Sequence, residues 1–266
     1  MERKALMPLN SQHTWVICAY GESQYLEACI QSLKNQTLTS KIICYTSTPL
    51  TSIYDICGKY DIPVHHKTGG GIGRDWNQAL SFVSTKYATI AHQDDYYEPK
   101  FLEKTLEAFE AHQDGLITFT DYFEEKNGSK IDANTNLKIK RLMLGTLSIF
   151  PTSRFWRKRV LAFGNPICCP AVSYNLEKLK DFQFDEDMRV SLDWYAWYKI
   201  SEYKGSFLYI PDALMCHRIH QESETTKTIS DNTRTKEDSY MYNLFWPKWF
   251  SRVIMKFYVK SQDTNH

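Results

Sequence analysis

At 266 residues, the chain fits one large α/β domain, or one domain with a small appendage. A formal net charge of +1 supplies no global field for nucleic acid, and no run reaches the ~20 apolar residues that span a bilayer. Met1 to His13 lack the apolar core of a secretion signal, and the seven Cys, Cys168-Cys169 included, lie mostly in apolar runs without metal-ligand spacing, so the expectation is a cytoplasmic protein whose thiols pack in reduced form.

Thr14 to Ala19 reads as a buried strand, followed by a turn at Tyr20-Gly21-Glu22-Ser23. The next run places Leu26, Cys29, Ile30 and Leu33 on one helical face. Lys41 to Tyr45 is a second strand, Ile53 to Cys57 a short helix, and Val64 the centre of a weak strand. A glycine loop, Gly69 to Gly73, leads into a helix with Trp76, Ala79, Leu80 and Val83 on its apolar face. Ala88 to Ala91 is a third apolar strand, and Leu102, Thr105, Leu106 and Phe109 mark another helix. One apolar stripe per helix, each after a strand, argues for parallel βαβ units. Leu116 to Thr120 is one more strand. After Tyr122 the pattern changes to a polar stretch, a basic segment over Lys138 to Arg159, and a loop over Gly164 to Pro170. A helix from Ser191 and strands at Phe207 to Ile210 and Leu214 to Cys216 follow.

Four constellations carry chemistry. Asp94 and Asp95 follow an apolar strand directly. Carboxylates at the carboxyl end of such a strand lie where α/β sheets bind ligands. Two together repel unless they share a hard cation, although a polar turn with an N-capping Asp reads equally well. His217-Arg218-Ile219-His220, near Ser223 and Thr225, combines imidazoles that ligate transition metals with a guanidinium that binds phosphate; a surface polar turn is the plainer alternative. Asp193 follows Ser191 at a helix start, where it suits either the helix dipole or a general base. Gly69 to Asn77 is a glycine loop entering a helix, which suits phosphate, but it is neither a P-loop nor a dinucleotide fingerprint.

Taken in order, these pieces resemble glycosyltransferases of family 2 with the GT-A fold. The matching elements are Val16 to Glu22, Ser32-Leu33-Lys34-Asn35-Gln36-Thr37, Gly71 to Asn77 with Arg74, His92 to Pro99, Asp193-Trp194, and Arg218 with His220, Ser223 and Thr225. The resemblance implies a Rossmann-like, mostly parallel sheet flanked by helices. It divides the chain into a domain over 13–226, with a nucleotide-sugar half (13–122) and an acceptor half (123–226), and a helical tail over 227–266. It implies an inverting transfer from a nucleotide-sugar, UDP-sugar by default, to a hydroxyl of a glycan or lipid-linked acceptor. Asp193 is then the base, and Asp94, Asp95 and His220 the ligands of Mn²⁺ or Mg²⁺. Ala19, Tyr20, Glu22, Thr46, Arg74, Asn77, His92, Gln93 and Arg218 are donor contacts, and Trp194 and Asn165 acceptor contacts. The chain departs from the family at His92, where an Asp is usual, and at Tyr45-Thr46-Ser47-Thr48, where an acid usually follows the second strand. A metal-dependent phosphohydrolase using Asp94, Asp95, His217 and His220, and a nucleotide-sugar-binding protein without turnover, are the alternatives.

In the tail, Lys248, Arg252, Lys256 and Lys260 recur every four residues among Phe245, Trp246, Trp249, Phe250, Val253, Ile254, Phe257 and Tyr258. That composition suits a helix lying on an anionic membrane, peripheral at its cytosolic face, or an aromatic face docked on the domain with its lysines in water.

Overall fold

Period-two alternation divides the first strand between two cores. In His13–Ala19 (β1), Trp15, Ile17 and Ala19 enter one hydrophobic layer and Val16 the other. The computed structural model describes residues 8–220 and 233–263. After β1 come Leu26–Lys34 (α1), Lys41–Thr46 (β2), Thr51–Lys59 (α2), Val64–His66 (β3), Ile72–Ser81 (α3) and Tyr87–His92 (β4). Then follow Tyr96–Tyr97 (β5), Phe101–Ala111 (α4), Gly115–Lys126 (β6), Ser129–Ile131 (β7), Thr135–Ile149 (α5) and Arg154–Leu161 (α6). Val172–Asn175 (β8), Leu192–Ile200 (α7), Ser206–Ile219 (β9), Thr233–Phe245 (α8) and Lys248–Asp263 (α9) complete the described chain.

The strand order is β3-β2-β1-β4-β8-β6-β9-β5, with β7 paired to β6. β3, β2, β1 and β4 are parallel, as the strand-helix alternation predicts. Beyond β4 the sheet becomes mixed, because β8 pairs antiparallel with both β4 and β6. This arrangement sets the carboxyl ends of the neighbouring parallel strands β1 and β4 side by side, where the turn carrying Asp94 and Asp95 emerges.

The apolar stripes behave as read. Leu26, Cys29, Ile30 and Leu33 are the buried residues of α1, and Leu102, Thr105, Leu106 and Phe109, with Phe101, are those of α4. The segments read as two late strands form one, β9, with a register shift opposite Thr120 and Asp121. The bulge takes up Pro211 and Asp212, a proline being unable to donate to the ladder. Ser191 occupies the N-cap of α7, but its side chain makes no capping hydrogen bond; its hydroxyl donates to Asp238 of α8 at 2.8 Å. The basic segment is helical, in α5 and α6. Within it Arg157 is fully buried and donates to the carbonyls of Gly205, Ser201 and Tyr203 at 2.8–3.0 Å, so it ties α6 to the turn before β9.

α8 packs against the same core through Met241 and Tyr242. Trp246 in the α8–α9 corner and Ile254 and Met255 of α9 face that core, while Trp249 and Val253 face outward. Over residues 248–255, α9 therefore docks one face and presents another. The boundary at 226/227, like Ser223 and Thr225, lies outside the described residues. Among the described residues, no helix is long and apolar enough to cross a membrane.

The glycine loop has a structural reason at Gly73. A Cβ there would overlap the carbonyl oxygen of Asp185, so α3 can approach the 184–191 loop only with glycine at this position. Gly73→Ala is expected to cost about 1–3 kcal/mol through overpacking, read as a lowered melting temperature by calorimetry. Gly58→Ala, where nothing lies within 4 Å of the added Cβ, should not lower it.

Candidate active site

The carboxyl ends of β1 and β4, the 184–191 loop, the start of α7 and the end of β9 enclose one cleft of about 1300 Å³. That exceeds the roughly 300–1,000 Å³ of a site for one small molecule. Ala19, Tyr20, Glu22, His92, Gln93, Asp94, Asn165, Asp193, Trp194 and His220 all line it.

The two adjacent carboxylates point in different directions. Asp95 is fully buried. Its Oδ1 accepts the Arg218 backbone N–H at 2.9 Å and lies 3.3 Å from His217 Nδ1. Its Oδ2 lies 3.8 Å from His92 Nδ1. Asp94 lines the cleft, with Oδ2 2.9 Å from His220 Nε2. Burial opposes the charge on Asp94, but His92, the His220 hydrogen bond and His217 together hold its carboxyl below the usual range. Burial also opposes protonation of His217, and Asp95 beside it prevails and raises the ring above its usual value. His92 has less support: desolvation pulls it down against Asp95 and Asp94.

His92, Asp94 and Asp95 each offer a ligand atom within 4.8 Å of the others. His92 Nε2 and Asp95 Oδ2 are buried without hydrogen-bond partners, which is the condition a cation would relieve. The donor set of imidazole and carboxylate fits a divalent metal.

On the far side, Asp193 opens α7. Its Oδ1 accepts the Trp194 N–H and its Oδ2 accepts the Asn165 amide, both at 2.7 Å. Desolvation pushes its carboxyl up to about 6, against those two hydrogen bonds. Glu237 of α8 holds the adjacent loop by accepting the backbone N–H groups of Arg189, Val190 and Ser191 at 2.8–2.9 Å.

Several of the expected contact residues also make bonds that hold the scaffold, and Thr46, Arg74, Asn77 and Arg218 are not among the residues lining the cleft. The Arg218 guanidinium donates to Glu125 at 3.1 Å and to the Asp94 carbonyl at 3.0 Å, between the rings of Tyr25 and Tyr96. Asn77 clamps the backbone of Phe184 through both amide atoms. Arg74 borders a separate hollow with His66, Lys67 and Gln78. Thr46 is buried and bonds within its own turn to Thr48, whose hydroxyl accepts the Gly21 N–H at 2.7 Å. Trp194 is 2% exposed, with its indole N–H on the Leu161 carbonyl, so most of the ring is core. Gln93 pairs its amide with both backbone groups of Tyr20 and so fixes the loop after β1.

Other cleft residues escaped the sequence reading. Trp76 stacks on His92 with centroids 5.3 Å apart. Asp75 accepts the Ser47 hydroxyl at 2.7 Å, and burial raises its carboxyl against that hydrogen bond and Arg74. Lys140, seen only as part of a basic segment, lines the cleft and donates to Tyr122 at 2.7 Å. Cys168 and Cys169, read as packing residues, also reach the wall. Asp75 was the most accessible signal, being an acid inside the Gly71-to-Asn77 element, but its contact with Ser47 depends on the fold.

This architecture is the GT-A fold. Staphylococcus aureus TarS residues 1–349, solved with UDP-GlcNAc, superposes with a TM-score of 0.66 at 14% identity, covering 92% of this chain and 70% of that one. The mannosyltransferase PcManGT of Pyrobaculum calidifontis, solved with GDP-Man and Mn²⁺, gives 0.64 at 12% identity, covering 92% and 69%. The family model for glycosyl transferase family 2 matches residues 14–179, and the chain belongs to that family. The chondroitin synthase of Pasteurella multocida is 29% identical over 119 residues, which are 40% of this chain and 12% of that protein. The chain thus matches only a small part of that relative's length.

Asp95→Ala would leave the part-buried Arg218 N–H without its carboxylate partner, at about 1–3 kcal/mol for an unsatisfied group. Thermal unfolding should show a clear drop for Asp95→Ala and a smaller one for Asp94→Ala, whose carboxylate faces the cleft.

Proposed function

We propose that the chain is an inverting glycosyltransferase that moves a sugar from a nucleotide-sugar, with a UDP-sugar the first donor to test, to a hydroxyl of a glycan or lipid-linked acceptor. One observation carries this reading: the Asp94–His220 pair and the Asp193–Asn165 pair line the same cleft. The nucleotide lies against the 13–122 half, along Ala19, Tyr20, Glu22 and Gln93. The acceptor lies against the 123–226 half, beside Asn165 and the exposed edge of Trp194. TarS and PcManGT, the neighbours solved with nucleotide-sugars, support the donor class, and the Mn²⁺ of the second supports a divalent cation.

Asp94 and His220, with His92 and Asp95 behind them, would hold that cation, Mn²⁺ or Mg²⁺. When bound, it supplies Lewis-acid stabilisation to the departing diphosphate. Asp193 performs the proton transfer. One of its Oδ atoms takes the acceptor hydroxyl proton as the acceptor oxygen bonds to the anomeric carbon. The bond from that carbon to the diphosphate breaks, and the nucleoside diphosphate leaves with the electron pair. A single in-line displacement inverts the anomeric centre. Burial makes Asp193 more basic than an ordinary carboxylate while leaving it ionised at neutral pH, as a general base requires. Asn165 and the Trp194 N–H hold it in place.

Asp193→Asn is expected to lower kcat by about 10²–10⁴-fold with donor affinity retained, and NMR of the product should show the anomer opposite to the donor's. Because the base works deprotonated and its pKa is raised, kcat/KM should fall about tenfold per pH unit below about 6. A rate that ignores Asp193→Asn, or a product that keeps the donor's configuration, would refute the reading.

A further inference from the structure

Where the end of α6 meets the α8–α9 corner, aromatic rings link into one surface patch around a single arginine. The Arg159 guanidinium lies 5.1 Å from the Phe155 ring centroid and 5.5 Å from that of Trp246. Trp246 meets Phe163 at 5.6 Å and Phe250 at 4.9 Å, and Phe250 meets Trp249 at 5.4 Å. Phe155, Phe163 and Trp249 are 67%, 62% and 68% exposed. Isolated apolar residues on a surface need no explanation, but a connected aromatic patch does.

The segments that carry the patch bear charge of one sign, and the nearby Glu202 is already paired with Lys158 of α6 at 2.7 Å. No Asp or Glu occurs from Ala133 to Leu176, or from Phe245 to Lys260. Arg154, Lys248 and Arg252 are exposed beside the rings. On α9, Lys248 and Arg252 are four residues apart, as are Trp249 and Val253, and all four are exposed. The first turns of α9 therefore carry a cationic stripe next to an apolar one. The inward face is already packed, so the outward face is the part left to a partner. A second copy seated face to face would bring these cations against their own equivalents. An anionic surface matches them instead.

We propose that this patch seats on an anionic lipid bilayer, with its aromatic rings at the headgroup–acyl boundary and its cations on lipid phosphates. The seat adjoins the acceptor side of the cleft. Ala162 accepts the Trp246 indole N–H at 2.8 Å, and Leu161 accepts that of Trp194, next to Asp193, at 3.0 Å. Phe163 is two residues before Asn165. Resting on the transferase reading, the proposal adds that the acceptor hydroxyl belongs to a lipid-anchored molecule delivered along the bilayer.

The test is flotation of the intact chain with phosphatidylcholine vesicles, with and without phosphatidylglycerol, alongside calorimetric donor binding and sedimentation velocity on the same preparations. Partition onto the anionic vesicles alone is expected, weakened by salt. Removing each cation in Arg154→Gln or Arg252→Gln should weaken it about fivefold, and Trp249→Ser should also reduce it, with donor binding unchanged in every variant. Equal partition onto both vesicles, no partition, partition indifferent to Trp249→Ser and Arg252→Gln, or a dimer in solution that these variants dissolve would each overturn it. Loss of donor binding in the unaltered chain, with anionic partition intact, would instead count against the transferase reading and leave the surface assignment standing.

Discussion

The cleft depends on the burial of Asp95. A carboxylate with no exposure must find partners inside the protein, and the partners here are the Arg218 N–H and His217. They lie at the end of β9, far along the chain from the β4 turn. Meeting the needs of Asp95 therefore draws the last strand against that turn, and in doing so it brings His220 within 2.9 Å of Asp94. One buried acid sets the position of its cleft-facing neighbour. Arg218 reinforces the joint through the Asp94 carbonyl and Glu125, which explains why a residue that suits phosphate by type serves the scaffold here.

Asp94 and Asp193 face the same cleft from opposite environments. Three histidines around Asp94 outweigh its desolvation and keep it ionised. At Asp193, desolvation outweighs two hydrogen bonds and raises the carboxyl to about 6. Environments that push carboxyl groups apart in acidity assign them different tasks. The first is fit to hold a cation and the second to accept a proton.

Much of the amino-terminal half was legible from periodicity. The residues at i, i+3, i+4 and i+7 in α1 and α4 are the ones the sheet covers, because each helix there has one partner layer. Periodicity failed between Tyr122 and Ser191, whereas α7 and β9 beyond it were legible. β8 has four residues, too few to display a period, and its antiparallel pairing with β4 and β6 is a tertiary event. α5 and α6 were hidden by their charge, since Arg157 and Lys140 turn inward where composition suggests solvent. Among site residues, the loops after β1 and β4 were readable because a strand end fixes their position. The roles of Asn77 and Gly73 were not, since both answer to the 184–191 loop more than a hundred residues on.

The most direct test of the central claim is calorimetric titration of UDP, and separately GDP, into the chain with and without Mn²⁺. The account predicts binding of one nucleotide that strengthens with Mn²⁺ and loses that metal dependence in Asp94→Ala while the variant stays folded. Absence of binding to either nucleotide by folded protein, or a Mn²⁺ response unchanged in Asp94→Ala, would contradict it.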